Sequence, residues 1–296
     1  MDAQHNRRTV VVGVDGSDHA RQAARWGAAE AERRGIPLRL VIAFTWVSDS
    51  AAGKHGHGDH TRESLLDAAR GRLVDAAVVA QQVAAGIDIE QQLIVGSPVE
   101  VLAEEARRAQ VLVVGDRGLS RIEGLLAGSV AAALAAHAPC PVVVVRGAEE
   151  EPAATAPVVV GVDGSAVSDA AIAFAFEAAS ARRTGLVAMH SWLDMVFEPE
   201  VAAMPSDRDA MEAAERQLLS DRLAGWPEKY PDVFVAQLVI RGSPARSLLE
   251  QAAAAQLVVV GSRGHGDFTG WVLGSVSNAL LHRSPCPVAV VRPDTG

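Results

Sequence analysis

Two doubly wound α/β domains in tandem, each a five-stranded parallel sheet of order 3-2-1-4-5 flanked by helices, are expected from this chain. Three features lead there. The sequence repeats itself, its apolar runs are short and do not alternate, and the stretches between those runs carry helical spacing.

The repeat is explicit. VVVGVDGS at 10–17 returns at 158–165, an offset of 148, and GSPVEVLAEEA from Gly96 returns as GSPARSLLEQA from Gly242, an offset of 146. AQVLVVGDRG, ending at Gly118, returns as AQLVVVGSRG, ending at Gly264, and APCPVVVVR returns as SPCPVAVVR. A first domain over residues 1–147 and a second over 157–296 follow, joined by a linker at 148–156 inside the charged, Ala/Pro-rich stretch RGAEEEPAATAP. At 296 residues the chain is long enough for two domains that each bury a core.

Within the first copy the apolar runs fall at 10–14, 38–44, 87–95, 111–115 and 142–145. Continuous Val, Leu and Ile suit strands covered on both faces, as in a parallel sheet. Segments such as 20–34 and 61–85 place apolar residues three and four apart among Ala, Arg and Glu, which is helical spacing. Right-handed crossovers then wind the sheet in both directions from strand 1, and ligands of such sheets sit beyond the carboxyl ends of the strands where the order reverses. That crevice lies between strands 1 and 4, whose ends carry Asp15 and Gly115 in the first copy and Asp163 and Gly261 in the second.

Composition removes some partners. A formal net charge of −9 repels polyanions, so nucleic acid is a poor partner and any bound phosphate needs local donors. No apolar stretch approaches the roughly 20 residues that span a bilayer, and the N-terminal segment lacks a signal-peptide pattern, so a cytoplasmic protein without a membrane partner is expected. Cys140 and Cys286 each precede an apolar run and read as small buried hydrophobes.

Strand 4 of the first copy is followed by GDRGLSRIEGLLAGSV from Gly115, and that of the second by GSRGHGDFTGWVLGSV from Gly261. Both have the spacing Gly, two residues, Gly, nine residues, Gly-Ser. Glycine lets backbone amides approach an anion, and the helix that the final Gly-Ser opens offers free N–H groups and the positive end of a dipole. Turn glycines and helix N-caps would account for the same residues, and the identical long spacing in two diverged copies favours a phosphate cradle.

With its early VGVDGS and late PCPVVVV segments, this loop resembles the universal stress proteins, in particular their tandem-domain, ATP-binding type. The resemblance covers nearly the whole chain. It implies Rossmann-like domains, one ATP each, little or no turnover, a homodimer formed through sheet edges, and a role in stress survival or growth control. It also implies a site of Gly13, Asp15 and Ala43 around adenine and ribose, with Gly115, Asp116, Arg117, Gly118, Arg121, Gly128, Ser129 and Val130 around the triphosphate. The second-copy counterparts are Gly161, Asp163 and Met189 (or His190), then Gly261, Ser262, Arg263, Gly264, His265, Gly274, Ser275, Val276 and Ser277. ATP would arrive with Mg2+.

A carboxylate beside a triphosphate is repulsive unless it faces hydroxyls, the base edge or a metal ion, so Asp15 and Asp163 are assigned to base or ribose, with helix capping as the alternative. Asp116 against Ser262 and Arg121 against Asp267 separate the copies, so unequal affinities are expected. The histidines of GKHGHGDH, His55, His57 and His60, read as loop residues rather than metal ligands. No GKS/T phosphate loop, complete GxGxxG after strand 1 or GxSxG elbow is present, and no histidine is placed beside Ser17 and Ser165 in both copies. A nucleotide-binding regulator is therefore the expected function. A slow ATP hydrolase or phosphotransferase, and a nucleotide-independent scaffold pairing through 142–145 and 288–291, are the alternatives.

Overall fold

The computed structural model describes residues 9–45, 58–118, 128–146, 153–192, 205–264 and 273–293. Residue contacts divide the chain into two compact units, 1–145 and 146–295.

The first unit runs β1 (Thr9–Gly13), α1 (Asp18–Arg34), β2 (Leu38–Phe44), α2 (Gly58–Val83), β3 (Ile89–Val95), α3 (Pro98–Ala106), β4 (Ala109–Gly115), α4 (Ser129–His137) and β5 (Val142–Val145). Its strands are all parallel, in the order β3-β2-β1-β4-β5. The second unit repeats the plan with β6 (Val158–Val162), α5 (Ala166–Arg182), β7 (Leu186–Trp192), α6 (Pro205–Leu223), α7 (Trp226–Lys229), β8 (Val235–Arg241), α8 (Pro244–Ala252), β9 (Leu257–Gly261), α9 (Ser275–Arg283) and β10 (Val288–Val291). Its order is β8-β7-β6-β9-β10, again parallel. Both units therefore have the expected 3-2-1-4-5 arrangement.

The central strands are buried because helices cover both faces. Val10 to Val12 in β1, Val111 to Val113 in β4, Val158 to Val160 in β6 and Leu257 to Val259 in β9 are among the innermost residues, none more than 1% exposed. β-Branched side chains fit this pleated, two-sided environment. The edge strand β3 is partly exposed and correspondingly carries Glu90, Gln91 and Gln92.

The helices also show how the copies diverged. In α1, Glu30 is fully buried and Arg34 Nε donates to its Oε1 at 2.6 Å. The equivalent residue of α5 is Ala178, and Arg182 donates instead to the Ala178 carbonyl at 3.2 Å. Where α2 continues to Val83, the second unit breaks its helix after Leu223 and turns through Gly225, at φ 80°, into α7. That break stacks Trp226 and Tyr230 on the buried Phe176, with centroids 5.4 and 5.7 Å away.

Part of the expected linker belongs to the second unit. Thr184 Oγ1 and Gln256 Nε2 both donate to the Ala156 carbonyl, at 2.9 and 2.6 Å. These bonds fasten residues just before β6, where sequence alone shows only lost periodicity.

Candidate functional site

Each domain brings together its strand-1 loop and its strand-4 loop at the carboxyl ends of adjacent parallel strands. After β1 the chain turns at Gly16, φ 92°, and after β6 at Gly164, φ 82°, a left-handed conformation suited to glycine. The turn lets Ser17 cap α1, its Oγ accepting from Ala20 N at 3.1 Å, and lets Ser165 cap α5, accepting from Ser168 N at 3.3 Å. The aspartates are therefore not the caps of these helices. Asp15 Oδ1 accepts from Ser17 N at 2.9 Å, and Asp163 Oδ1 accepts from Ser165 N at 2.9 Å and Ser165 Oγ at 2.6 Å.

The second oxygen of each aspartate faces the strand-4 loop. A Cβ on Gly118 would lie 2.5 Å from Asp15 Oδ2, and one on Gly264 would meet Asp163 Oδ2 more closely still. Neither glycine has a positive φ, so space rather than backbone conformation demands it. Gly115 and Gly261 are crowded likewise: a Cβ there would stand 2.9 Å from the His19 backbone and 2.8 Å from Val167 Cγ1. Thus the first glycine of the spacing lets the end of strand 4 pack on the first turn of α1 or α5, and the second lets the strand-4 loop close on the aspartate.

The last glycine begins a helix. Gly128 is the N-cap of α4 and Gly274 that of α9, so Ser129 and Ser275 are the first helical residues rather than the caps. Neither helix start has a side-chain cap bond, which leaves the first-turn N–H groups to other acceptors. Gly128 N donates to the Asp116 carbonyl at 2.6 Å and Gly274 N to the Ser262 carbonyl at 2.9 Å. These bonds bring the helix start back to the Gly-x2-Gly turn, whose Gly118 lies against Asp15. The second domain repeats this, with Gly264 against Asp163. Arg121 and His265 lie outside the described residues, as do residues 54–57 of the histidine-rich loop.

Strand register corrects one assignment. Gly13 is opposite Val41 and Gly161 opposite Met189, so Met189 is the counterpart of Val41. Ala43, opposite Ile94, corresponds to Ser191, opposite Ile240. Met189 is 1% exposed inside the sheet layer, two residues short of that position. The repeat offset changes between blocks, which is why sequence alone left this alignment open. Ser191 Oγ donates to the Gly242 carbonyl at 2.7 Å, much as Thr45 Oγ1 donates to the Gly96 carbonyl at 3.0 Å.

Several contacts at the site were not legible beforehand. In the first domain His19 Nδ1 stands 2.8 Å from Asp116 Oδ1, and Arg117 Nε stands 3.4 Å from Asp116 Oδ2. In the second, Ser277 Oγ reaches the Ser262 carbonyl at 3.2 Å and the Gly274 carbonyl at 3.0 Å, bracing the turn where the first domain has Ala131. His190, 6% exposed, contacts the Val162 carbonyl through Nδ1 at 2.7 Å and Glu215 Oε2 through Nε2 at 2.9 Å. Arg222 of α6 donates to the Gly164 carbonyl and, at 3.0 Å, to Asp169. A helix following strand 2 thus holds the strand-1 turn of this domain from outside. His19 sits in the unremarkable string SDHAR, and Glu215 lies 25 residues from His190, so spacing offered no signal for either pair.

Among the described residues no cluster of three or more His, Cys, Asp or Glu is placed to hold a metal ion. Both cysteines are buried, and burial pushes the Cys286 thiol up to about 11, the character of a packing residue rather than a nucleophile. No described helix is long and apolar enough to cross a membrane.

A duplicated doubly wound module with an aspartate and a glycine loop facing each other at the switch point defines a class: tandem Rossmann-like α/β domains, each a parallel sheet covered by helices. The chain belongs to the universal stress protein family, whose model matches residues 6–146 and 155–292. Curated relatives include universal stress protein Rv2005c of Mycobacterium tuberculosis, 39% identical over 303 residues and covering 99% of both chains. Universal stress protein Rv2623 of the same species is 37% identical over 308 residues, again covering 99% of both. The crystal structure of a universal stress protein from Archaeoglobus fulgidus superposes with a TM-score of 0.69 at 20% identity, covering 97% of this chain and 99% of that one, a likeness of fold.

Proposed function

We propose that each domain binds one adenine nucleotide, ATP with Mg2+, and that the protein acts as a nucleotide-dependent regulator of stress response or growth rather than as a turnover enzyme. One observation carries the reading: in both domains a helix start without a side-chain cap is drawn against a Gly-x2-Gly turn, directly opposite an aspartate. A helix start and neighbouring loop amides attract phosphate oxygens without a lysine. Asp15 and Asp163 brace their own turns through Oδ1 and set Oδ2 against Gly118 and Gly264, which puts a carboxylate where strand 1 meets the strand-4 loop, beside which a ribose hydroxyl or base N–H would bind.

Mg2+ fits as a passenger of the phosphates. It is commonly held by one or two carboxylates together with phosphate oxygens and water, and Asp15 and Asp163 would supply the carboxylate that both domains share. Bound there, the ion would neutralise phosphate charge that the aspartate otherwise repels.

Regulation follows if nucleotide binds two conformations unequally, since differential affinity is all that a population shift requires. Assembly into a homodimer is part of the proposal, and light scattering with and without nucleotide reads it. The test of the central claim is to denature the purified protein and identify any released ligand by mass spectrometry, then titrate the stripped protein with Mg-ATP. Binding supports the reading. Steady ATP turnover faster than about once per second, near the low end of ordinary enzymes, would replace it with a hydrolase.

A further inference from the structure

The two units end on edge strands of opposite character. Among the described residues β3 pairs with β2 alone, and β8 pairs with β7 alone. Their registers correspond, since Ile89 is opposite Leu38 and Val235 opposite Leu186. At matching positions β3 carries Glu90 and Gln92, and Glu90 accepts a hydrogen bond from Arg39. Strand β8 has Ala236 and Leu238 there, and Phe234 precedes it where Asp88 precedes β3. Phe234 is 78% exposed, the most exposed of the large apolar side chains among the described residues. Polar and charged side chains on an edge strand discourage further pairing, and β3 has them. An apolar edge beside an exposed aromatic ring invites it.

A groove of about 590 Å3 lies at the amino end of β8, away from the carboxyl edge that carries the glycine loops. Leu223, Val233 and Phe234 form its apolar walls, and Glu228 and Asp232 line it as well. Val235 and Gln237, which share one face of the strand, border it from the sheet. No lysine or arginine lines it. Lys229, next in the chain to Glu228, holds its Nζ over the Trp226 and Tyr230 rings, 5.0 and 5.5 Å from their centroids. The groove thus combines apolar walls with acidic charge that no lining cation neutralises.

We propose that the outer edge of β8 and this groove dock an extended segment of another protein, which adds to the sheet as a further strand. The open edge supplies main-chain donors and acceptors, and alternate side chains of the added strand fall on the face of Val235 and Gln237. On that face the segment carries a large apolar residue, which covers Leu223, Val233 and Phe234. Two positions along it carries a lysine or arginine, matched to Glu228 and Asp232. The acidity of the groove and the formal net charge of −9 favour a basic segment over a second copy of the chain at this edge. The docking site is separate from the glycine loops and stands whether or not they hold nucleotide.

Fluorescence anisotropy on the full-length protein tests this with a labelled synthetic peptide, Thr-Lys-Thr-Ile-Thr-Lys-Thr, whose isoleucine and lysines share one face when extended. Saturable binding is expected, and it should be lost when glutamates replace the lysines or when alternate backbone amides of the peptide are N-methylated. Phe234→Asp installs the residue that precedes β3, and Ala236→Glu with Leu238→Gln installs the polar residues of β3 itself, so the first unit gives a folded precedent for each. Each variant should weaken binding about tenfold or more. Glu228→Lys, a change at an exposed position, should weaken the lysine peptide and strengthen the glutamate peptide by about two- to fivefold. The proposal is overturned if the unmutated protein shows no saturable binding, if it binds the glutamate peptide equally, or if Phe234→Asp and Glu228→Lys change nothing while circular dichroism spectra stay native. Light scattering that finds the unmutated protein dimeric and the Ala236→Glu, Leu238→Gln variant monomeric also overturns it, since a second copy then covers this edge.

Discussion

Asp15 occupies the space that a side chain at position 118 would need: a Cβ on Gly118 would stand 2.5 Å from Asp15 Oδ2. The obstructing atom is the end of a short side chain, so a larger residue can displace it without disturbing the sheet. Gly118→Ala should therefore leave the circular dichroism spectrum and melting temperature nearly unchanged while weakening nucleotide binding at the first site by about tenfold, the loss of one hydrogen bond to a charged group. Titration of the single variant should show one strong site. Unaltered binding at both sites would remove Asp15 from the proposed site.

The helix caps at the same loops give a stability prediction. Ser17→Ala and Ser165→Ala each remove an acceptor for a first-turn N–H, of Ala20 and Ser168 respectively. Each should cost about 1 kcal/mol in chemical denaturation. Ser165→Ala should cost more of the two, because Ser165 Oγ also donates to Asp163 Oδ1 at 2.6 Å.

The ion pair in α1 offers an asymmetric test. Arg34→Ala leaves the fully buried Glu30 with its closest cation gone and should destabilise the first domain by about 3 kcal/mol. Glu30→Ala installs the residue that the second domain carries at Ala178 and frees Arg34 to bond the backbone as Arg182 does. It should cost distinctly less. Equal losses on thermal unfolding would show that the cost is one of packing alone.

The thiols should be silent until the protein unfolds. Cys140 and Cys286 are 3% and 4% exposed, so a disulfide reagent should modify neither in the native state and both in denaturant. Because burial raises Cys286 from 9.0 to about 11, the folded state keeps its proton where the unfolded chain releases it. The associated stability is complete below pH 9.0 and is lost as pH climbs toward about 11. Cys286→Ala should flatten that alkaline decline. An unchanged slope would assign it to other groups.

Much of the architecture was legible because it is periodic. Two copies of VVVGVDGS, and valine runs without alternation, specify a covered parallel sheet and its duplication, and the observed order β3-β2-β1-β4-β5 agrees. Boundaries moved where local bonds rather than hydropathy set them. Ile87 was expected in strand 3, yet its N–H donates to the Ala84 carbonyl at 3.5 Å in the turn before β3 begins at Ile89. The glycine spacing located the loops, but its reason differs from backbone freedom at Gly118 and Gly264, where an opposing aspartate takes up the room. The contacts that distinguish the sites were hidden. His19 with Asp116, and His190 with Glu215, meet only through the fold, and Met189 was misaligned with Ala43 because the repeat offset shifts by two between β6 and β8.

The measurement that bears most directly on the account is the stoichiometry of Mg-ATP binding to ligand-free protein by isothermal titration calorimetry, with the Gly118→Val, Gly264→Val double variant alongside. The account predicts two sites per chain in the unmutated protein and none in a double variant that retains its native circular dichroism spectrum. Absence of binding to the unmutated protein, or undiminished binding by the folded double variant, would contradict it.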